Sequence, residues 1–226
     1  MGGRSAGIGT VLAIPLVAVA VLGLVLAGRG APFPVDLTVL DAALARRTPD
    51  RTIVAERISA VCGYLGMTVI ALLAGAVVFV RDRNPRTALA PVVALVAAMA
   101  VTEVVKMLVA RPRPPIASRL SLTEQTFSYP SGHAAGASAC LVAVALVLTR
   151  TRPARVVAVA CAAVWATVVA GTRVYLGVHW ASDVVAGLVL GSALSVLVVT
   201  LMVPRPGRVR TAAVSDTACG HRQPDR

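Results

Sequence analysis

Tyr129-Pro130-Ser131-Gly132-His133 is a tight polar turn set between two apolar runs. Read with Lys106 and Arg113 before it, and with Arg173, His179 and Asp183 after it, it supplies cations, backbone donors, two imidazoles and one carboxylate. That inventory suits the holding of a phosphate and the transfer of its phosphoryl group, which needs mainly positioning and charge neutralisation.

Each group has a chemical reading and a plainer one. Lys106 closes an apolar run with Glu103 one helical turn before it, so the two can pair at i,i+3 and hold the ammonium in place. Alone, Lys106 would serve as well by snorkelling to lipid headgroups. Arg113 follows Arg111-Pro112, and prolines 112, 114 and 115 fix an extended or turning path that carries it back toward the site. Pro130-Ser131-Gly132-His133 opens the next apolar run, where unpaired helix amides and the helix dipole favour an anion. There Ser131 can donate its hydroxyl, Gly132 admits close backbone approach, and His133 can protonate a leaving oxygen. An ordinary helix cap would use the same four residues. His179 and Asp183 lie four apart, so a helix starting near His179 would stack them on one face. Aspartate accepting from one ring nitrogen leaves the other free as a nucleophile. The plainer alternative is an interfacial histidine with Asp183 as a helix cap, which strains when the whole set is considered.

The elements that must position these residues are membrane helices. The chain has 226 residues, 57% of them hydrophobic and 14% charged, with mean hydropathy +0.81, whereas soluble domains are roughly half apolar and a quarter charged. Six stretches meet or approach the length of about 20 apolar residues that a bilayer core requires: 8–27, 58–80, 89–110, 131–148, 156–175 and 183–203. They are too long and too continuously apolar for barrel strands. The expected fold is therefore all-α, a polytopic membrane protein with six transmembrane helices in one bundle over residues 1–204. The first run exceeds the roughly 7 to 15 apolar residues of a signal peptide, which makes it an uncleaved span. Apolar positions recur at helical spacing over 35–47, the pattern of an amphipathic helix at the outer interface. Gly187 and Gly191 give the last span a small-xxx-small spacing that permits close helix approach.

Arginines set the orientation. Arg4, the group Arg81, Arg83 and Arg86, the group Arg150, Arg152 and Arg155, and the polar tail over 205–226 all fall on one side, assigned to the cytoplasm. Every motif residue then ends on the extracytoplasmic side, at a cell membrane. The net charge of +12 is explained by this placement at span ends, with few aromatics and no basic stripe, and excludes nucleic acid as the natural partner. Cys62, Cys140 and Cys161 sit in apolar runs at wide spacing and Cys219 in the tail, which gives neither a disulfide framework nor a metal site. A disordered tail is expected from the Pro, Gly, Ser, Thr and Arg content after Pro204.

At this point the chain resembles the type 2 phosphatidic acid phosphatase superfamily, whose three signatures are K-x6-R-P, P-S-G-H and S-R-x5-H-x3-D. They stand here as Lys106 through Arg113-Pro114, Pro130 to His133, and Thr172-Arg173 through His179 to Asp183, with threonine replacing the usual serine. The resemblance implies that His179 attacks phosphorus to give a phosphohistidine, that Asp183 orients it, and that His133 acts as general acid and then base. It implies that Lys106, Arg113, Ser131, Gly132 and Arg173 hold the phosphate oxygens. No metal ligand set is visible and no cofactor is implied, so the expectation is metal-independent hydrolysis of a lipid phosphate or diphosphate: a polyprenyl diphosphate, phosphatidic acid or phosphatidylglycerol phosphate.

Two rivals use the same residues. The phosphohistidine could pass its phosphoryl group to an acceptor lipid or sugar instead of water. A nonenzymatic lipid-binding or transport protein could use the charged ring merely to hold a headgroup, and would then tolerate loss of His179. Halide oxidation, found in relatives of the fold, is disfavoured by the short loops and the membrane setting.

Overall fold

A computed structural model describes residues 3–29, 31–121 and 126–203, with side chains of the first helix described from Ile14 onward. Among them the regular elements are helical: α1 (Gly3–Arg29), α2 (Pro34–Leu44), α3 (Pro49–Val61), α4 (Tyr64–Asp82), α5 (Pro85–Val109), α6 (Gly132–Leu148), α7 (Arg152–Tyr175) and α8 (Ala181–Met202). The polar tail expected over 205–226 lies outside the described residues.

Polar residues punctuate the apolar chain. Thr48, Asn84 and Thr151 cap α3, α5 and α7, each side chain accepting from an amide of the following turn, and proline follows early in all three helices. α4 ends on Arg83 in the left-handed conformation, φ 52°, and Asn84 starts the next cap, so α4 and α5 are joined by a tight turn.

Four of the helices, α4, α5, α7 and α8, are long and apolar enough to cross a membrane. The stretch of α1 from Ile14 to Arg29 and α2 pass the same test together as a pair bent by 89°. The stretch expected as a fourth span is α6, a helix of only 17 residues, short of the roughly 20 needed to cross unaided. It runs through the middle of the bundle, packed against α4, α5, α7 and α8, and Ala134, Ala135, Ala137, Ala139, Cys140 and Ala143 are all buried.

Small residues make that central position possible. A Cβ added to Gly187 of α8 would stand 2.5 Å from the Ser131 carbonyl oxygen, and one on Gly191 would run into the Ala135 carbonyl. The expected small-xxx-small seam is thus where α8 meets α6. Apolar side chains such as Leu72, Leu73, Leu108, Val164 and Leu201 point outward instead, as they do where the solvent is lipid.

The first connection differs from expectation in two ways. The span expected from residue 58 begins at Tyr64, because residues 58–61 belong to α3 and Cys62-Gly63 breaks the backbone between the helices. The first connection holds two helices, α2 and α3, in place of one over 35–47. α2 packs against α7 and α8 and buries Asp36 and Leu40.

At one end of the bundle the C-termini of α5 and α7 meet the N-termini of α6 and α8. The α5–α6 connection is tied there by Leu120 N–H to the Leu176 carbonyl (2.9 Å), Ser128 N–H to the Arg111 carbonyl (2.9 Å) and Ser131 N–H to the Asp183 carbonyl (3.0 Å). At the other end Arg81 donates to the Val147 and Leu148 carbonyls, closing the last turn of α6.

Candidate active site

The turn from α7 to α8 presents His179. Gly177 has φ +71°, a left-handed conformation, and a Cβ there would collide with the Ser118 carbonyl, so glycine is required at the point where the turn passes the α5–α6 connection. His179 is 1% exposed. Its Nε2 lies 3.1 Å from Arg113 Nη1, and its Nδ1 lies 3.6 Å from Asp183 Oδ2 and 3.5 Å from Ser128 Oγ. A guanidinium can only donate, so Nε2 must accept and the ring proton belongs on Nδ1, facing the carboxylate. Burial lowers the imidazole to a pKa of about 4; Asp183 opposes that shift, and the Arg113 and Arg173 guanidiniums add to it. The ring is neutral near pH 7, with its lone pair on the side of the cations.

The helix expected to start near His179 starts at Ala181, leaving the histidine in the turn ahead of it. Asp183 is the third residue of α8, and its Oδ2 accepts from Trp180 N–H at 2.9 Å. The capping reading and the histidine-facing reading of Asp183 therefore hold together: the bond that caps the start of α8 also holds the carboxylate toward the ring. Ser128 donates its hydroxyl hydrogen to the same oxygen, and Arg111 donates to Oδ1.

The cations arrive from three elements. α5 ends on Ala110 at φ 49°, and the proline-rich path beyond it returns Arg113, which donates to the Thr126 carbonyl (2.6 Å), the Val178 carbonyl (2.8 Å) and the Phe127 carbonyl (3.2 Å). Lys106 pairs with Glu103 at 2.9 Å and donates to Thr126 Oγ1 at 3.3 Å. Arg173, in the last turn of α7, donates to the Ser59 hydroxyl of α3. All three cations are buried, at 8%, 4% and 4% exposure.

Ser131 caps α6. Its amide is used by the Asp183 carbonyl, while its fully buried hydroxyl has no partner among the described residues. At Gly132 a Cβ would come 3.0 Å from the Tyr64 hydroxyl and 3.4 Å from Met99 Cε, so glycine keeps the helix start open. His133 lines a small cavity with Cys62, Gly63, Tyr64, Met99 and Gly136, its ring centroid 6.2 Å from that of Tyr64. Described contacts thus join His179 to Arg113 and Asp183, and join Lys106 to Arg113 through Thr126. His133 stands beside Tyr64, and Arg173 donates to Ser59 while its charge acts on the His179 ring.

Three residues at the site escaped the sequence reading. Arg111 bridges Asp183 and Asp36, Ser128 donates to Asp183, and Asp36 accepts from Arg111 at 2.6 Å. Arg111 carries the same Arg-Pro signature as Arg113, and spacing alone does not say which guanidinium faces which group. Ser128 stands two residues before Pro130 in an unpatterned loop, and Asp36 is far away in the chain.

Comparison with known proteins places this geometry in company. A family model for the PAP2 superfamily matches residues 87–206. An undecaprenyl-diphosphatase of Sulfolobus acidocaldarius is 37% identical over 142 residues, covering 61% of this chain and 64% of that protein. Phosphatidylglycerophosphatase B of Escherichia coli is 42% identical over 72 residues, 31% of this chain and 27% of that one. The chain therefore spans less than two thirds of the length of these curated relatives. Among solved structures, the transmembrane PAP2 type phosphatidylglycerolphosphate phosphatase of Bacillus subtilis superposes with a TM-score of 0.71 at 26% identity, over 82% of this chain and 94% of that one. LpxE of Aquifex aeolicus shares the fold at a TM-score of 0.55 and 18% identity, over 74% and 96%. Since the family model covers more than half of the sequence, including every residue at which the ends of α5 to α8 come together, this chain belongs to the PAP2 superfamily.

Proposed function

We propose that the protein is an integral membrane phosphatase that hydrolyses a lipid phosphate or diphosphate through a phosphohistidine on His179. The observation that carries this reading is the placement of the ring: Nε2 at 3.1 Å from the Arg113 guanidinium, with Nδ1 toward Asp183. A lone pair beside a cation is where an anionic phosphate would be drawn and attacked.

In the proposed sequence the Nε2 lone pair forms a bond to phosphorus as the bond from phosphorus to the leaving oxygen breaks. His133 gives that oxygen a proton. Asp183 balances the positive charge that develops on the imidazole while its Nδ1–H stays in place. Water then gives a proton to His133, its oxygen bonds to phosphorus, and the N–P bond breaks to restore His179. Lys106, Arg113, Arg173, the Ser131 hydroxyl and the Gly132 amide hold the remaining oxygens through both steps. Their charge takes the part that a divalent cation plays elsewhere, so hydrolysis proceeds without metal.

A six-span arrangement over residues 1–204, with the tail over 205–226 in the cytoplasm, fits the arginine distribution: Arg81 and Arg150 belong to the end of the bundle opposite His179. The site then opens at the extracytoplasmic surface of the cell membrane, where a lipid headgroup reaches it with its tails still in the bilayer. The names of the relatives support polyprenyl diphosphate and phosphatidylglycerol phosphate as substrate classes.

The test is phosphate release from a panel of lipid phosphates in detergent micelles. Wild type should turn over at least one of them and His179→Ala none. Substantial turnover by His179→Ala would remove the nucleophile from the mechanism.

A further inference from the structure

The His179–Asp183 pair is anchored to a residue outside the three signatures. Asp36, on α2, is completely buried, which is tolerable for a carboxylate only when its oxygens are paired and hydrogen-bonded. Its Oδ1 accepts from Ser182 N–H at 2.8 Å. Its Oδ2 accepts from Arg111 Nη2 at 2.6 Å, from the Ser182 hydroxyl at 2.9 Å and from Phe33 N–H at 3.2 Å. The second arm of the same guanidinium donates to Asp183 Oδ1 and to Ser182 Oγ. Arg111 is itself confined, 4% exposed, with its guanidinium carbon 5.6 Å from the centre of the Trp180 ring; Trp180 in turn donates Nε1–H to the Pro112 carbonyl at 2.9 Å.

We infer that Asp36 is a positioning residue for the reaction, acting through Arg111 to fix the rotation of the Asp183 carboxylate and so the aim of His179. The inference rests on the function proposed above. With Oδ1 of Asp183 taken by Arg111, the carboxylate plane is set and Oδ2 is left for His179 Nδ1, Ser128 and the Trp180 amide. A guanidinium held by one carboxylate only could swing about that bond. Held by two, in a planar fork, it cannot. The second carboxylate also offsets the charge of Arg111, which would otherwise be borne by Asp183 alone and weaken the support Asp183 gives to a positively charged imidazole. α2 is thereby more than a connector: it contributes a fixed anion to the rear of the site.

Asp36→Asn keeps the size of the side chain and an acceptor for Ser182 N–H while removing the ion pair. It should lower kcat about tenfold to a hundredfold, the scale of a small misplacement of a reacting group, with KM changed less than about twofold. The same substitution in an Arg111→Met background should change neither. A second readout does not depend on turnover: the chain has three histidines, so 15N-histidine resonances in micelles are few, and the set that His179→Ala removes identifies the ring. Asp36→Asn should shift the His179 Nδ1 resonance. Arg111→Lys, which keeps the charge but lacks the planar fork whose two arms fix both carboxylates, should shift it in the same sense and serves if Asp36→Asn does not fold. The relay is overturned if folded Asp36→Asn retains wild-type kcat and His179 resonances, or if it loses as much in the Arg111→Met background as in wild type. A wild-type protein that releases phosphate from no lipid would refute the proposed function, and the resonances would still decide whether Asp36 reaches His179.

Discussion

Ser128 donates its hydroxyl hydrogen to Asp183 Oδ2, the carboxylate oxygen that lies 3.6 Å from His179 Nδ1. One oxygen thus accepts from the Trp180 amide and the Ser128 hydroxyl and faces Nδ1 of the His179 ring, and its position is set by three elements at once: the α5–α6 connection, the α7–α8 turn and the first turn of α8. Ser128→Ala should lower kcat about tenfold, or about 1.4 kcal/mol of transition-state stabilisation, with KM nearly unchanged because the hydroxyl is spent on the protein rather than on substrate. Steady-state kinetics check this, and a rise in KM at constant kcat would show that Ser128 binds substrate instead.

Acid sensitivity follows from the burial of His179. Its folded pKa of about 4 lies below the ordinary 6.5, so the unfolded chain takes up the proton first. The stability contributed by the neutral ring is complete above about pH 6.5 and is lost as pH falls from there toward 4. Thermal midpoints in detergent should fall across that window for wild type, and less steeply for His179→Gln. Parallel curves for the two proteins would mean that the ring titrates normally. The same shift keeps His179, the proposed nucleophile, unprotonated through the neutral range, so the acid limb of kcat/KM that it contributes should lie near pH 4.

What could be read from the chain, and what could not, divides by distance along it. The Glu103–Lys106 pair is local, set by helical spacing, and is found at 2.9 Å. The return of Arg113 was legible in the prolines around it, and the Gly187–Gly191 seam in its spacing. α3 was invisible because Asp50, Arg51, Glu56 and Arg57 interrupt any apolar stripe, and its end merged by composition with the next apolar run. Asp36 stands in the sequence as one polar position of an amphipathic pattern. Its role depends on a contact with a guanidinium 75 residues away, which no local periodicity encodes.

Chelation gives a direct test of how the phosphate charge is balanced. The two buried carboxylates at the site, Asp36 and Asp183, both spend oxygens on Arg111, and in the proposed mechanism Lys106, Arg113 and Arg173 supply the positive charge. Phosphate release should therefore persist in EDTA at essentially the untreated rate. Loss of activity that magnesium restores would refute the metal-free mechanism.

Gly187 couples bundle packing to chemistry. A Cβ on it would press on the Ala134 methyl at 3.0 Å and, at 2.5 Å, on the carbonyl of Ser131, the same residue whose amide binds the Asp183 carbonyl. Gly187→Val should cost about 1–3 kcal/mol, as overpacking does, and also depress kcat by displacing α6 from α8. Both effects are read from thermal unfolding and turnover of the same preparation. Full activity in a destabilised variant would separate the seam from the site.

The Ser131 hydroxyl is buried and without a partner among the described residues, an arrangement that costs about 1–3 kcal/mol in a folded protein. Such a cost is understandable if the missing partner is a phosphate oxygen. Ser131→Ala should then leave the resting protein as stable as wild type or more so, while weakening the enzyme. Orthovanadate, which adopts the trigonal bipyramidal shape of the phosphoryl centre in transit, isolates that contribution from substrate binding. Vanadate should inhibit wild type, and about tenfold more should be needed against Ser131→Ala, the equivalent of one hydrogen bond to a charged group. A variant that loses stability but keeps wild-type vanadate sensitivity would mean that the hydroxyl serves the start of α6 and not the anion.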